Sequence, residues 1–111
     1  MKVCDIKEKL NLTLFCGSKG LDREVQSGYV SDLLSDVMGN ATEGAVWVTL
    51  QTHKNIMAVA SLKDLAAVIL VKGCHPDEAT ITQSEEEGIP VLGTTLETFE
   101  LAGRLYQFLN P

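Results

Sequence analysis

Three features of the sequence predict an α/β fold, a three-layer α/β/α sandwich with a mainly parallel sheet. Apolar runs rich in β-branched residues recur at 45–50 (AVWVTL) and 67–71 (AVILV), and continuous apolarity is the mark of strands buried on both faces. Helical periodicity fills the intervals between such runs. Residues 66–95 then read as strand (67–71), glycine turn (72–76), helix (77–87) and second strand (90–93), which is one right-handed βαβ unit.

The elements follow in order. Asp5 and Glu8 ahead of Leu10 read as a capping box with Asp5 as the cap, and Val3, Ile6 and Leu10 recur at i, i+3 and i+7, so a short amphipathic helix opens the chain. Leu12, Leu14 and Cys16 alternate with Thr13 and Phe15, the period of a strand, until Gly17-Ser18-Lys19-Gly20 stops it. A second extended piece is expected over 24–30. Its connection to the first is too short and glycine-rich for a parallel crossover, so the first forty residues are expected to form an irregular subunit leaning on the sheet. Ser31 or Asp32 is placed to cap a helix carrying Leu33, Leu34, Val37 and Met38, with Gly39-Asn40 as its C-terminal signal. The helix over 53–62 is apolar on most sides through Ile56, Met57, Val59, Ala60 and Leu62, which requires it to be heavily covered. Thr94-x-x-Glu97 reads as a capping box for the last helix. There Phe99, Leu101, Ala102, Leu105, Tyr106, Phe108 and Leu109 fill roughly half the circumference, wider than the stripe of about 100° that one core face needs. Part of this helix is expected to face a partner, and Phe99, Leu101, Leu105 and Phe108 are its candidate interface residues.

A length of 111 residues fits one domain, 1–111, with a single core. Fifteen acidic against nine scattered basic residues give a formal charge of -6, which would repel a phosphate backbone, so no nucleic-acid partner is expected. No apolar run reaches the length that spans a bilayer, and the opening residues lack the apolar core of a signal peptide. Three cysteines without a C-x-x-C pair fit a reducing compartment, so a cytoplasmic location without membrane contact is expected.

In an open parallel sheet, ligands bind beyond the carboxyl ends of the strands. The loops there bring Thr52, His53, Lys72, Gly73, Thr94 and Thr95 to one edge as candidate ligand-binding residues, and helix N-termini with free N–H groups favour an anion such as phosphate or carboxylate. The alternative is that Gly73 only makes a turn and the threonines only cap helices. Catalytic templates are absent: there is no G-x-x-x-x-G-K-[ST], no G-x-G-x-x-G and no G-x-S-x-G. Cys74 and His75 are adjacent, which does not itself position a base for the thiol, and with His53 they lack the spacing of a zinc site. No catalytic residue, metal or cofactor is assigned. Asp32 and Asp36, and the run Glu85-Glu86-Glu87 at a helix C-terminus, read as solvated faces.

With these residues in view, the chain resembles the DRTGG domain, a module related to the N-terminal domain of HPr kinase/phosphorylase. The likeness covers about residues 3–109 and rests on VWVTLQTHKN, AAVILVKGCHPD, EEGIPVLGTT and the Glu97-Thr98-Phe99 step into the last helix. The family takes its name from an Asp-Arg after one strand and a Thr-Gly-Gly after the next. This chain has Thr52-His53 and Lys72-Gly73-Cys74 at those places and retains only Gly73. The resemblance implies a fold like that N-terminal domain and a regulatory, non-catalytic role. Such domains occur between CBS domains of pyrophosphatases and attached to phosphotransacetylases, and they often dimerise. As a module standing alone, the chain is expected to act as a homodimer or through an unidentified protein partner, with a small anionic ligand at the loop edge as the alternative.

Overall fold

The computed structural model describes residues 1–111. The chain runs α1 (Val3–Lys9), β1 (Thr13–Cys16), a single 3-10 turn (Ser18–Gly20), β2 (Ser27–Val30), α2 (Leu34–Asn40), β3 (Ala45–Thr49), α3 (Asn55–Leu62), β4 (Ala67–Leu70), α4 (Glu78–Glu87), β5 (Val91–Gly93) and α5 (Thr98–Leu109). One five-stranded sheet has the order β1-β5-β4-β3-β2. Strands β2 to β5 are parallel, and β1 closes one edge antiparallel to β5, with a bulge between Leu14 and Cys16. This is the expected three-layer architecture.

The sheet is buried on both faces, which is why β3 and β4 are apolar at nearly every position. On one face Trp47, Val68, Leu70 and Val91 pack with Ile56, Met57 and Ala60 of α3 and Val37 of α2. On the other, Val46, Val48, Ile69 and Leu92 pack with Val3 and Ile6 of α1 and Leu101 and Leu105 of α5.

The N-terminal third differs from the expectation. It does not lean on the sheet but supplies both of its edges, β1 and β2. The argument against a parallel crossover holds, because the two strands are not neighbours. Residues 17–26 instead carry the chain from one edge to the other, a distance of four strand spacings or roughly 19 Å. Arg23 ties this crossing down: its Nε donates to Gly88 O at 2.9 Å, and its Nη1 lies 3.4 Å from Asp64 Oδ1.

Three capping assignments also change. Asp5 sits inside α1 and accepts from Lys2 N–H at 2.8 Å, so it closes the first turn from the third position instead of starting it. The helix after Ser31 and Asp32 begins only at Leu34 and runs through Gly39 and Asn40. Helix α5 is capped at Glu97, and Thr94 makes a local turn in which its hydroxyl accepts from Leu96 N–H at 3.2 Å.

Candidate functional site

The carboxyl edge of the parallel strands was the first place to expect chemistry. Strand order and helix placement weaken that expectation. From β2 to β5 the chain steps one strand at a time in one direction, with α2 and α3 packed on one face and α4 packed beside α3. A ligand crevice in such sheets arises where strand order reverses, and the run of parallel strands contains no reversal.

Several polar groups of the edge are also taken up by the chain's own hydrogen bonds. Lys72 and Gly73 both adopt left-handed backbone (φ 59° and 73°), and their N–H groups donate to Leu96 O and Thr94 O, each at 2.9 Å. An anion seated in this turn would find both amides taken. The Lys72 amine lies 3.7 Å from the Glu97 carboxylate. Thr52 offers its carbonyl, which accepts from Asp77 N–H at 3.1 Å and the Thr80 hydroxyl at 2.7 Å. His53 Nδ1 accepts from Asn55 N–H at 3.2 Å, and Thr95 is exposed at the tip of the β5–α5 loop. The structure therefore brings the six candidate residues to one edge and uses most of their polar groups in turns and caps. None of them lines the main surface hollows.

Asp32, read from sequence as a solvated carboxylate, is the most engaged residue of this edge. Its Oδ1 accepts from the Thr49 hydroxyl at 2.8 Å and Leu50 N–H at 2.7 Å, which closes the end of β3. Asp36 accepts from the Tyr29 hydroxyl at 2.9 Å and from Asn40 Nδ2 at 3.0 Å. The hydroxyls of Ser31 and Tyr29 hold its carboxyl below the usual range, and that same hydrogen bond to Asp36 raises the Tyr29 phenol. The depressed acid contributes stability above its unfolded pKa, lost as pH falls through the folded value; the raised phenol contributes below its unfolded pKa, lost as pH rises through the folded value. In Tyr29→Phe the Asp36 carboxyl is expected to titrate at higher pH, read by the pH dependence of its carboxyl carbon NMR shift; an unchanged midpoint contradicts this coupling.

The cysteines and histidines do not assemble into a reactive group. Burial pushes the Cys16 thiol up, His75 stacks edge-on against Phe15 with ring centres 5.0 Å apart, and no three His, Cys, Asp or Glu side chains converge to hold a metal ion. No helix is long and apolar enough to cross a membrane.

A different surface stands out. A groove of about 520 Å³ lies between the open edge of β2 and helix α5, lined by Gln26, Ser27, Gly28, Val30, Phe99, Ala102, Gly103, Leu105, Tyr106, Leu109 and Asn110. Its lining contains no charged residue, although the chain carries -6. On the groove floor Leu105 lies close over Gly28, where a Cβ would meet Leu105 Cδ2 at 3.2 Å. Phe99 is 91% exposed, Tyr106 70% and Val30 48%. Isolated apolar side chains on a surface are ordinary, whereas three large ones on one groove are not.

Of the four candidate interface residues, only Phe99 is fully exposed. Leu101 and Leu105 are buried in the chain's own core, with Leu105 also reaching the groove, and Phe108 is half-buried against that core and lines two other surface hollows. The width of the apolar face resolves into two stripes. Leu101, Leu105 and Phe108 pack toward the sheet, Phe99, Ala102 and Tyr106 face the groove, and Leu105 and Leu109 touch both. The i, i+3, i+7, i+10 spacing of the second stripe is visible in the sequence once the first is subtracted.

Comparison with known proteins bears on these features. The family model for the DRTGG domain matches residues 5–108. The chain is similar to the HPr kinase/phosphorylase of Shouchella clausii (strain KSM-K16), at 26% identity over 121 aligned positions, covering 96% of this chain and 39% of that protein. Its fold is similar to a crystal structure of the CBS and DRTGG domains from the regulatory region of Clostridium perfringens pyrophosphatase, complexed with the activator diadenosine tetraphosphate. That likeness has a TM-score of 0.70 at 17% identity and covers 94% of this chain and 45% of the other. The chain thus spans less than half the length of either relative, and the structural likeness speaks for the fold. With a family match running over nearly its whole length, the chain belongs to the DRTGG domain family.

Proposed function

We propose that the chain is a non-catalytic regulatory or interaction domain that acts through self-association or a partner protein. The observation that carries this reading is the uncharged groove between β2 and α5 with Phe99 and Tyr106 standing exposed over it. Helix faces that are apolar beyond the needs of the core mark protein contacts in soluble domains. The regulatory setting of the related pyrophosphatase domain supports the same reading. Light scattering at tens of micromolar is expected to give a mass above that of the 12.0 kDa chain, or a pull-down to recover a partner that Phe99→Glu no longer binds. A strictly monomeric chain with no such partner overturns it.

A second reading is a small-molecule sensor, favoured by the activator bound in that regulatory region. An anion or nucleotide would then sit at the carboxyl edge near Thr52, His53, Lys72 and Thr94. Thermal shift decides: a ligand at a hundredfold excess over its Kd adds about 2.7 kcal/mol of stability. Because the Lys72 and Gly73 amides are already paired, no stabilisation is expected from phosphate, acyl phosphates or nucleotides. A clear upward shift that Lys72→Ala abolishes would establish the sensor instead.

A further inference from the structure

We propose that the β2 edge and the groove beside α5 receive an extended strand of a partner protein, one whose sequence runs apolar, basic, apolar over successive residues. This rests on the partner-protein reading above and names that partner's chemistry.

The backbone selects a strand. β2 is the last strand of the sheet and pairs only with β3. Ser31 N–H donates to Val48 O, and Tyr29 lies beside Trp47 in the parallel ladder. By the alternation of such a ladder, the N–H and C=O groups of Gly28 and Val30 point away from β3. No turn or loop of the chain takes them up, and both residues are exposed. Sheet edges are usually blunted by a bulge, a proline or a lysine. The opposite edge, β1, has a bulge between Leu14 and Cys16, whereas β2 keeps a continuous register over Ser27–Val30 and has none of these devices. An extended chain laid antiparallel along β2 makes four backbone hydrogen bonds with Gly28 and Val30, which neither a helix nor a rounded surface reproduces.

The side chains select its sequence. Facing residues of an antiparallel pair lie on one face of the sheet. Gly28 and Val30 lie on the α5 face, where Leu105 packs over Gly28. The two incoming residues opposite them therefore point into the groove walled by Phe99, Ala102, Gly103 and Tyr106. Its lining has no charge, so apolar side chains fit there and a charged one would lose its water without a counter-ion.

The residue between them lies opposite Tyr29 and points to the other face, where the Tyr29 hydroxyl donates to Asp36 Oδ1 at 2.9 Å. Asp36 has no cationic partner. Residues 24–53 hold Glu24, Asp32, Asp36 and Glu43 and neither a lysine nor an arginine. A lysine or arginine at the middle position lays its stem along the Tyr29 ring and brings its charge to this carboxylate. A second copy on the same edge would instead set Tyr29 against Tyr29 and bring two Asp36 carboxylates to one side of the joint. Charge therefore ranks a basic strand of another protein above a second copy.

The probe is an end-capped peptide with valine, lysine and leucine at its centre, titrated into the isotope-labelled full chain and followed by amide NMR. Shifts are expected at residues 27–30 and on the exposed side of α5, with solvent exchange of the Gly28 and Val30 amides slowed by at least about tenfold. Glutamate in place of the peptide's lysine is expected to weaken binding about tenfold, and Asp36→Asn to erase most of that preference. N-methylation of the peptide's valine and leucine removes the N–H groups offered to Gly28 and Val30 and is expected to weaken binding by at least about thirtyfold. Val30→Pro, which removes an outward N–H and spares the bonds to β3, is expected to do the same. Binding that survives N-methylation overturns strand pairing, and no binding at about 1 mM peptide overturns the proposal. A dimer that the peptide does not displace assigns the groove to self-association instead. The wider interaction reading stands or falls separately, on the mass and pull-down results given above.

Discussion

Replacing Trp47 with alanine is expected to cost about 3–5 kcal/mol of folding stability. Trp47 is fully buried on β3, between β2 and β4, where it fills the layer beneath α2 and α3. Its Nε1 also donates to Ser31 O at 2.8 Å, which pins the end of β2 to its neighbour. The substitution leaves a void the size of an indole and an unpaired carbonyl, against a net stability of about 5–15 kcal/mol for a domain of this kind. Urea unfolding followed by far-UV circular dichroism checks this. Trp47→Phe keeps most of the volume and loses the hydrogen bond, so the two variants separate packing from pairing. A loss below about 1 kcal/mol for Trp47→Ala would contradict the placement of this side chain at the centre of the core.

Gly17→Ala is expected to be nearly as damaging for a different reason. Gly17 has a left-handed φ of 79°, and a Cβ would lie 2.5 Å from Ile89 O and 2.6 Å from Ser84 Oγ. Those two atoms already bond to each other at 2.7 Å, and Gly17 N–H donates to Glu85 Oε1 at 2.9 Å, so neither wall yields easily. Left-handed backbone costs a side-chain-bearing residue about 1–2 kcal/mol, and overpacking about 1–3 kcal/mol more. Gly39→Ala supplies the contrast. That residue is helical with nothing within 4 Å of its would-be Cβ, and the substitution is expected to stabilise by about 0.4–1 kcal/mol. Thermal melts of the two variants should move in opposite directions; a stabilised Gly17→Ala would contradict the close approach of the crossing loop to the end of α4.

What the sequence made legible follows from how local each signal is. The apolar runs at 45–50 and 67–71 and the glycine turn between strand and helix are local, and they located β3, β4, α4 and β5 to within one or two residues. The placement of β1 and β2 at opposite edges is not local. Val25 accepts its place through its N–H bond to Met1 O, and Arg23 reaches Gly88, contacts between residues far apart in the chain that no periodicity records. The hydrogen bonding of the candidate ligand edge was out of reach of the sequence for the same reason. The pairing of the Lys72 and Gly73 N–H groups with the β5–α5 loop is a contact between loops about twenty residues apart that no local pattern records. In α5 the total width of the apolar face was legible, but which residues meet the sheet was set by the packing of Leu101 and Leu105 against strands distant in the chain.

The most direct measurement is a dilution series of amide NMR spectra of the wild-type chain. If the chain self-associates through the β2/α5 groove, concentration-dependent shifts will cluster on residues 27–30 and on the exposed side of α5 around Phe99, Gly103 and Tyr106, and the loops carrying Thr52, Lys72 and Thr94 will stay still. Shifts confined to those loops, or spectra independent of concentration, would contradict it.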